Sequence, residues 1–171
     1  VPHFVPSSGF DLGSAPRNGA FESWTGEAPE GWEKVAGWQG KTFSGRCTRD
    51  DQVKHGGVAS LRLENQQESE VVQVSQNLSV GAPLIAGKRY RLSAWVKTGH
   101  LDKPNQIGFA TLTTDLKGTG GGGSIAFPAQ AGDWTRGQAE FTVPEGSDFL
   151  RIMIHVQGPA QVWVDDMLLE E

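Results

Sequence analysis

The stretch FLRIMIHVQ, residues 149–157, changes polarity at almost every step. Leu150, Ile152, Ile154 and Val156 share one side, and Arg151, Met153, His155 and Gln157 share the other. A period of two with β-branched enrichment marks a half-buried strand, because successive side chains leave a pleated backbone on opposite faces. The apolar side belongs against a core. The other side sets a cation, an imidazole and an amide in a row, an unusual set for a face that needs only solvation. RYRLSAWVKT, residues 89–98, repeats the pattern, with Tyr90, Leu92, Ala94 and Val96 toward the core and Arg91, Ser93, Trp95 and Lys97 on the other side.

Around these two lie more runs of the same kind: ASLRLEN (59–65), EVVQVSQNLSV (70–80), IGFATLTTD (107–115), GQAEFTV (137–143) and QVWVDDMLLEE (161–171). Turns rich in Gly, Pro, Asp or Asn separate them, and 23 glycines serve such turns. No long window carries a helical stripe. Short strands at this spacing predict an all-β fold, an antiparallel β-sandwich of the jelly-roll kind. KGTGGGGSI, residues 117–125, lacks the Gly-Lys-Ser/Thr ending and the following helix of a phosphate-binding loop, so it reads as a flexible loop between strands.

A chain of 171 residues with 37% apolar residues suffices for one well-buried core. Residues 1–17 carry three Pro, three Ser and two Gly without a sustained period and read as an extended N-terminal arm or linker, leaving 18–171 as the folded module. Fifteen basic against twenty acidic residues, net −5, provide no broad basic field for nucleic acid or an anionic membrane. No apolar run approaches the roughly 18 residues that span a bilayer, and no signal peptide is visible, so the chain reads as soluble. Cys47 is the only cysteine, which rules out an internal disulfide and a thiolate cluster for zinc.

A set of short motifs in order carries a family resemblance. Asn18-Gly19-Ala20-Phe21-Glu22, Gly31-Trp32, His55-Gly56-Gly57-Val58-Ala59-Ser60-Leu61, Gly87-Lys88-Arg89-Tyr90-Arg91-Leu92-Ser93-Ala94-Trp95-Val96-Lys97, Trp134 and Val164-Asp165-Asp166 together resemble the carbohydrate-binding modules of families 4, 9, 16 and 22. Those modules share a galactose-binding-domain-like jelly roll and are usually appended to secreted polysaccharide-degrading enzymes. The resemblance spans nearly the whole module.

The resemblance implies a structural calcium that ties the first turn to the last strand. Carried over residue by residue, it gives Glu22 and Asp165 as side-chain ligands and the carbonyls of Ala20, His55 and Val58 as companions. Calcium takes six to eight hard oxygens and accepts such a mixed shell. The alternative reading of the same residues is that Glu22 caps a turn and that Asp165 or Asp166 accepts backbone hydrogen bonds at a sheet edge.

Sugars are bound by aromatic rings that stack on their C–H faces and by planar polar side chains that pair with hydroxyls. Xylan- and glucan-binding members of the families resembled here use one concave sheet face as a cleft, with Arg, His or Gln from a late strand. Arg151, His155 and Gln157 match that pattern by face and strand. Trp95 is the candidate platform, with Phe109 and Thr111 flooring the cleft. Trp32, Trp134 and Trp163 are expected to pack, and Trp24 and Trp38 lie in loops where an exposed ring would line one end of the groove.

The polar face shows no pair of carboxylates for glycoside hydrolysis, and the sole tyrosine, Tyr90, sits on the core side. The leading expectation is a non-catalytic, monomeric module that binds a polysaccharide or oligosaccharide and targets a covalently attached catalytic domain, secreted from or displayed on a bacterial cell. A structural or interaction domain without sugar affinity and a small jelly-roll polysaccharide lyase are the alternatives.

Overall fold

The computed structural model describes residues 15–171. In chain order, the first six strands are β1 (Trp24–Thr25), β2 (Ala28–Pro29), β3 (Glu33–Lys34), β4 (Gly37–Trp38), β5 (Lys41–Thr42) and β6 (Arg46–Asp50). The long ones follow: β7 (Ser60–Asn65), β8 (Val71–Ser79), β9 (Arg89–Leu101), β10 (Gln106–Leu112), β11 (Gly118–Ala126), β12 (Thr135–Thr142), β13 (Phe149–Gln157) and β14 (Ala160–Glu170). One five-stranded sheet has the order β11-β10-β13-β8-β3, the other β12-β9-β14-β7-β6, and two-stranded ribbons β1-β2 and β4-β5 lie beside them. Neighbouring strands within each sheet are antiparallel. The expected antiparallel sandwich is the observed fold.

Alternation sets the faces as the sequence requires. On β13, Leu150, Ile152, Ile154 and Val156 are fully buried. They meet Leu92, Ala94 and Val96 of β9, Val162 and Val164 of β14 and Leu61 and Leu63 of β7 in one core shared by both sheets. Leu and Ile side chains of this kind each contribute about 1.5–3 kcal/mol on burial, so the apolar faces hold the two sheets together.

Two expectations about chain segments are corrected. Residues 118–126 form strand β11, not a flexible loop, and pair with β10 from Gln106↔Ala126 onward. Glycine serves close approach here. Gly122 has φ +134°, and a Cβ there would run into the Phe109 carbonyl oxygen, while one at Gly121 would lie 2.7 Å from the carbonyl oxygen of Thr142. A run that looks like a linker is the edge strand because only glycine lets β10 and the end of β12 crowd it. The arm assigned to residues 1–17 also ends earlier than its composition implies. Residues 1–14 lie outside the described part, but Ala15 is buried, its carbonyl accepts from Leu169 N at 2.9 Å, and Arg17 N donates to Gln76 Oε1 at 2.8 Å.

Candidate functional site

The outward face of the sheet carrying β13 is built in rows. Register places Arg151 between Ala110 and Asn77, Met153 between Gly108 and Ser75, and His155 between Gln106 and Gln73. Gly108 and Ala110 keep the β10 side low, and the β13 and β8 side chains stand above it. The result is a groove of about 870 Å³ along this face. Trp38 of β4 and Phe43 line it, and the His155 ring lies 6.0 Å from that of Phe43. Leu112 and Leu116 line it near Arg151. Three large hydrophobic side chains are exposed among the described residues: Trp38 (69%), Leu116 (58%) and Val58 (56%), and the first two line this groove. Single exposed apolar residues are ordinary, but two across one polar-floored groove point to a ligand.

The polar floor is held in place. Arg151 Nε donates to Asn77 Oδ1 at 3.1 Å, and its guanidinium carbon lies 5.4 Å from the Phe149 ring centre. His155 Nδ1 is 2.8 Å from Gln73 Oε1. With that oxygen accepting, Nδ1 carries the proton and Nε2 is left as an acceptor for a hydroxyl. Burial, with Lys41 as a smaller second cause, holds the His155 imidazole below its ordinary pKa, so it is neutral at pH 7. At the edge of the sheet, buried Gln76 clamps Arg17 by its backbone, donating from Nε2 to Arg17 O at 2.9 Å and to Gly31 O at 3.0 Å.

Arg151 and His155 are thus brought together in one groove. Gln157 continues their face at the end of β13 but does not line the groove. Three expected contacts are corrected. Phe109 and Thr111 point inward: register sets Phe109 opposite Ile152 and Thr111 opposite Leu150, and they are 3% and 0% exposed. The outward residues of β10 are the Gly108 and Ala110 that alternate with them. Trp95 belongs to the other sheet, whose outer face looks away from this groove. It pairs with Asp165 and stacks on the His55 ring at 4.0 Å between centroids. Of the loop tryptophans, Trp38 is the exposed one, while Trp24 donates from Nε1 to Phe21 O at 2.6 Å and packs against the core.

Trp32 and Trp163 are buried, the latter donating to Asp50 Oδ2 at 2.9 Å, and Trp134 is half-buried with its edge on His55. Gln73, Asn77, Arg17 and Leu116 escaped the sequence reading. The first two were visible as the polar side of EVVQVSQNLSV, but only strand order sets them beside Arg151 and His155.

A second constellation joins the first turn, the 55–58 loop and the last strand. The register of β14 against β9 slips between Asp165 and Leu168, a bulge that presents Asp165 and Asp166 to the loop. Asp165 is fully buried and accepts from His55 N at 2.9 Å, Gly56 N at 3.1 Å and Asp166 N at 2.8 Å. Burial nevertheless pushes its carboxyl up to about 6. Glu22 Oε2 accepts from Val58 N at 2.8 Å, and Asp166 Oδ2 lies 2.6 Å from His55 Nδ1. His55 and Val58 therefore meet the two carboxylates through their N–H groups. Ala20 lies in the same turn, which Asn18 fastens by accepting from Glu22 N at 3.0 Å.

Hard carboxylate oxygens with lone pairs to spare, one of them buried without a countercharge, suit a calcium ion in chemistry. Among the described residues, however, no group of three or more His, Cys, Asp or Glu side chains is arranged to hold a metal. Any shell here would lean on backbone carbonyls.

The chain belongs to the carbohydrate binding domain family, whose sequence model matches residues 14–162. The fold is similar to the enzymatically active domain of tailspike protein 4 from bacteriophage CBA120, with a TM-score of 0.70 and 14% identity over 90% of this chain and 20% of that one, so this chain spans about a fifth of that length. It is similar to the CBM22-1 xylan-binding domain of Paenibacillus barcinonensis Xyn10C, with a TM-score of 0.55 and 14% identity over 82% of this chain and 85% of that one. It is also similar to arabinose-bound MgGH51 α-L-arabinofuranosidase, with a TM-score of 0.63 and 12% identity over 90% of this chain and 26% of that one. At these identities the likeness is one of fold. A comparison with curated proteins finds no match.

Proposed function

We propose that this carbohydrate-binding domain holds a polysaccharide chain in the groove on the β11-β10-β13-β8-β3 sheet, without catalysis, and so keeps an attached secreted enzyme on its substrate. The observation that carries the reading is the juxtaposition of an exposed Trp38 ring with the fixed polar side chains of Arg151, His155, Gln73 and Asn77 in one groove. A ring stacks on the apolar face of a pyranose, and planar amide, imidazole and guanidinium groups pair with its hydroxyls. The module acts as a monomer and raises the effective concentration of its enzyme at the polymer surface.

The groove's lining includes one carboxylate, Glu33, where glycoside hydrolysis uses two. Tyr90, the sole candidate phenolic base for a lyase, is buried and donor to none of the groove's residues, its hydroxyl accepting instead from Ile85 N at 2.9 Å. Both features support a binding role. A structural calcium at Glu22 and Asp165, completed by carbonyls of Ala20, His55 and Val58, would supply the countercharge that buried Asp165 lacks and would tie the first turn to the last strand.

Affinity electrophoresis through gels containing soluble xylan, mixed-linkage glucan, mannan and uronate polymers tests the groove. Retardation that Trp38→Ala and His155→Ala both abolish is the expected result. Mobility unchanged in every gel would leave a structural domain as the better reading.

A further inference from the structure

We infer that the groove selects an acidic polysaccharide, one whose sugar rings carry carboxylates, and that Arg151 and Arg17 read that charge. The inference rests on the groove being the glycan site. The chain as a whole is acidic, net −5, yet this groove is lined by two guanidinium groups and one carboxylate, Glu33. A local reversal of sign in an acidic protein concentrates anionic ligand where the positive groups converge.

The state of the arginines strengthens the point. Arg49, Arg62, Arg89 and Arg136 each pair with an Asp or Glu side chain. Among the described residues Arg151 and Arg17, like Arg46 and Arg91, have no such partner; Arg151 is held at its guanidinium and Arg17 at its backbone. Asn77 takes Nε of Arg151, and the Phe149 ring lies 5.4 Å from its guanidinium carbon, which leaves both terminal amino groups to the groove. Arg17 is fastened by its backbone to Gln76 and is exposed at the groove's edge. A preorganised guanidinium with two free amino groups matches a carboxylate in a two-point fork, and little rotamer freedom remains to be lost.

Shape favours a carboxylate over a sulfate ester. A uronate carboxylate replaces the hydroxymethyl group of a hexose and adds no bulk, so the ring can still lie flat on Trp38. A sulfate ester projects a tetrahedral, strongly hydrated group beyond the ring.

The test is calorimetric titration at physiological salt with polygalacturonate, alginate and glucuronoxylan, each beside its carboxyl-reduced form, and with dextran sulfate. Reduction turns each carboxylate into a hydroxymethyl group on the same backbone. At least one native uronate polymer is expected to bind about tenfold tighter than its reduced form, about 1.4 kcal/mol. Arg151→Gln should erase that difference, Arg17→Gln should narrow it, and Arg151→Lys should keep part of it; unchanged melting temperatures verify folding. Trp38→Ala should weaken both forms alike, which separates the platform from the charge reader. Equal affinity for native and reduced polymers overturns the charge reading and leaves the groove standing. Preference for dextran sulfate overturns the choice of carboxylate. No binding to any polymer overturns this inference together with the groove.

Discussion

Replacing Trp38 by Ala tests the groove most directly, because the expected changes in binding and in stability differ greatly in size. The side chain is 69% exposed. Taking about 250 Å² for a tryptophan, roughly 170 Å² is open, and a pyranose stacked on one face would cover about half of that. At about 25 cal/mol per Å², the lost contact costs about 2 kcal/mol, or roughly 30-fold in Kd. The folded state loses little, since truncating an exposed ring away from the core stays within about 0.5 kcal/mol, a shift of about 2 °C or less for a domain of this size. Titration calorimetry against the polymer that retards the protein most, paired with a thermal melt, reads both quantities. An unchanged Kd with an unchanged melt would refute stacking at Trp38. A large fall in melting temperature would refute the view that its ring is free in the unliganded protein.

Other perturbations probe the remaining elements. Because burial holds His155 below its usual 6.5, sugar affinity should stay level as pH falls to 6.5 and decline only further down, once protonation removes the Nε2 acceptor. Its share of fold stability has the same sign, present above 6.5 and lost as pH drops through the lowered native value; the difference between pH series of the native protein and His155→Gln checks both. Chelation should lower the melting temperature by roughly 5–10 °C if calcium at a hundredfold its Kd contributes about 2.7 kcal/mol. Glu22→Gln keeps an acceptor for Val58 N–H but removes the charge, so it should reproduce that loss, and a melt indifferent to both treatments would refute the ion. Gly122→Ala, forced to φ +134° against the Phe109 carbonyl, should cost at least about 2 kcal/mol in chemical denaturation, whereas Gly118→Ala, with open space at its Cβ, should cost far less.

Strand existence and strand faces were legible because β13 and β9 bury one side of the pleat completely, and a two-residue period survives any arrangement of the sheets. The core side of IGFATLTTD was legible as well, since Ile107 and Phe109 share a parity that only burial satisfies. Assigning Phe109 to a sugar cleft ignored its own alternation. β11 could not be read in this way, because a run of glycines has no polarity to alternate; its place as a strand follows from what crowds it, the backbone of β10 and the end of β12. Gln76 is similarly opaque. An amide in a strand gives no sign that it will be buried to fasten Arg17 and Gly31.

Trp95 shows that parity along a strand does not fix which sheet the strand joins. Its outward parity on β9 was correct, and it shares that property with Arg151 and His155, yet the three cannot meet. In a sandwich, outward means opposite directions for the two sheets, so residues of like parity converge only when their strands belong to the same sheet. Sheet membership is set by long-range pairing, here β13 between β10 and β8, and β9 between β12 and β14. Once that order is known, an aromatic ring over the groove has to come from an element folded over the β13 side. The β4-β5 ribbon, two residues per strand and too short to announce itself by any period, puts Trp38 there. Trp95 is left to stack on His55 beside the carboxylates of the last strand, where it buttresses the 55–58 loop. Two tryptophans of similar prominence in the sequence thus divide between groove and scaffold according to the sheet each one covers.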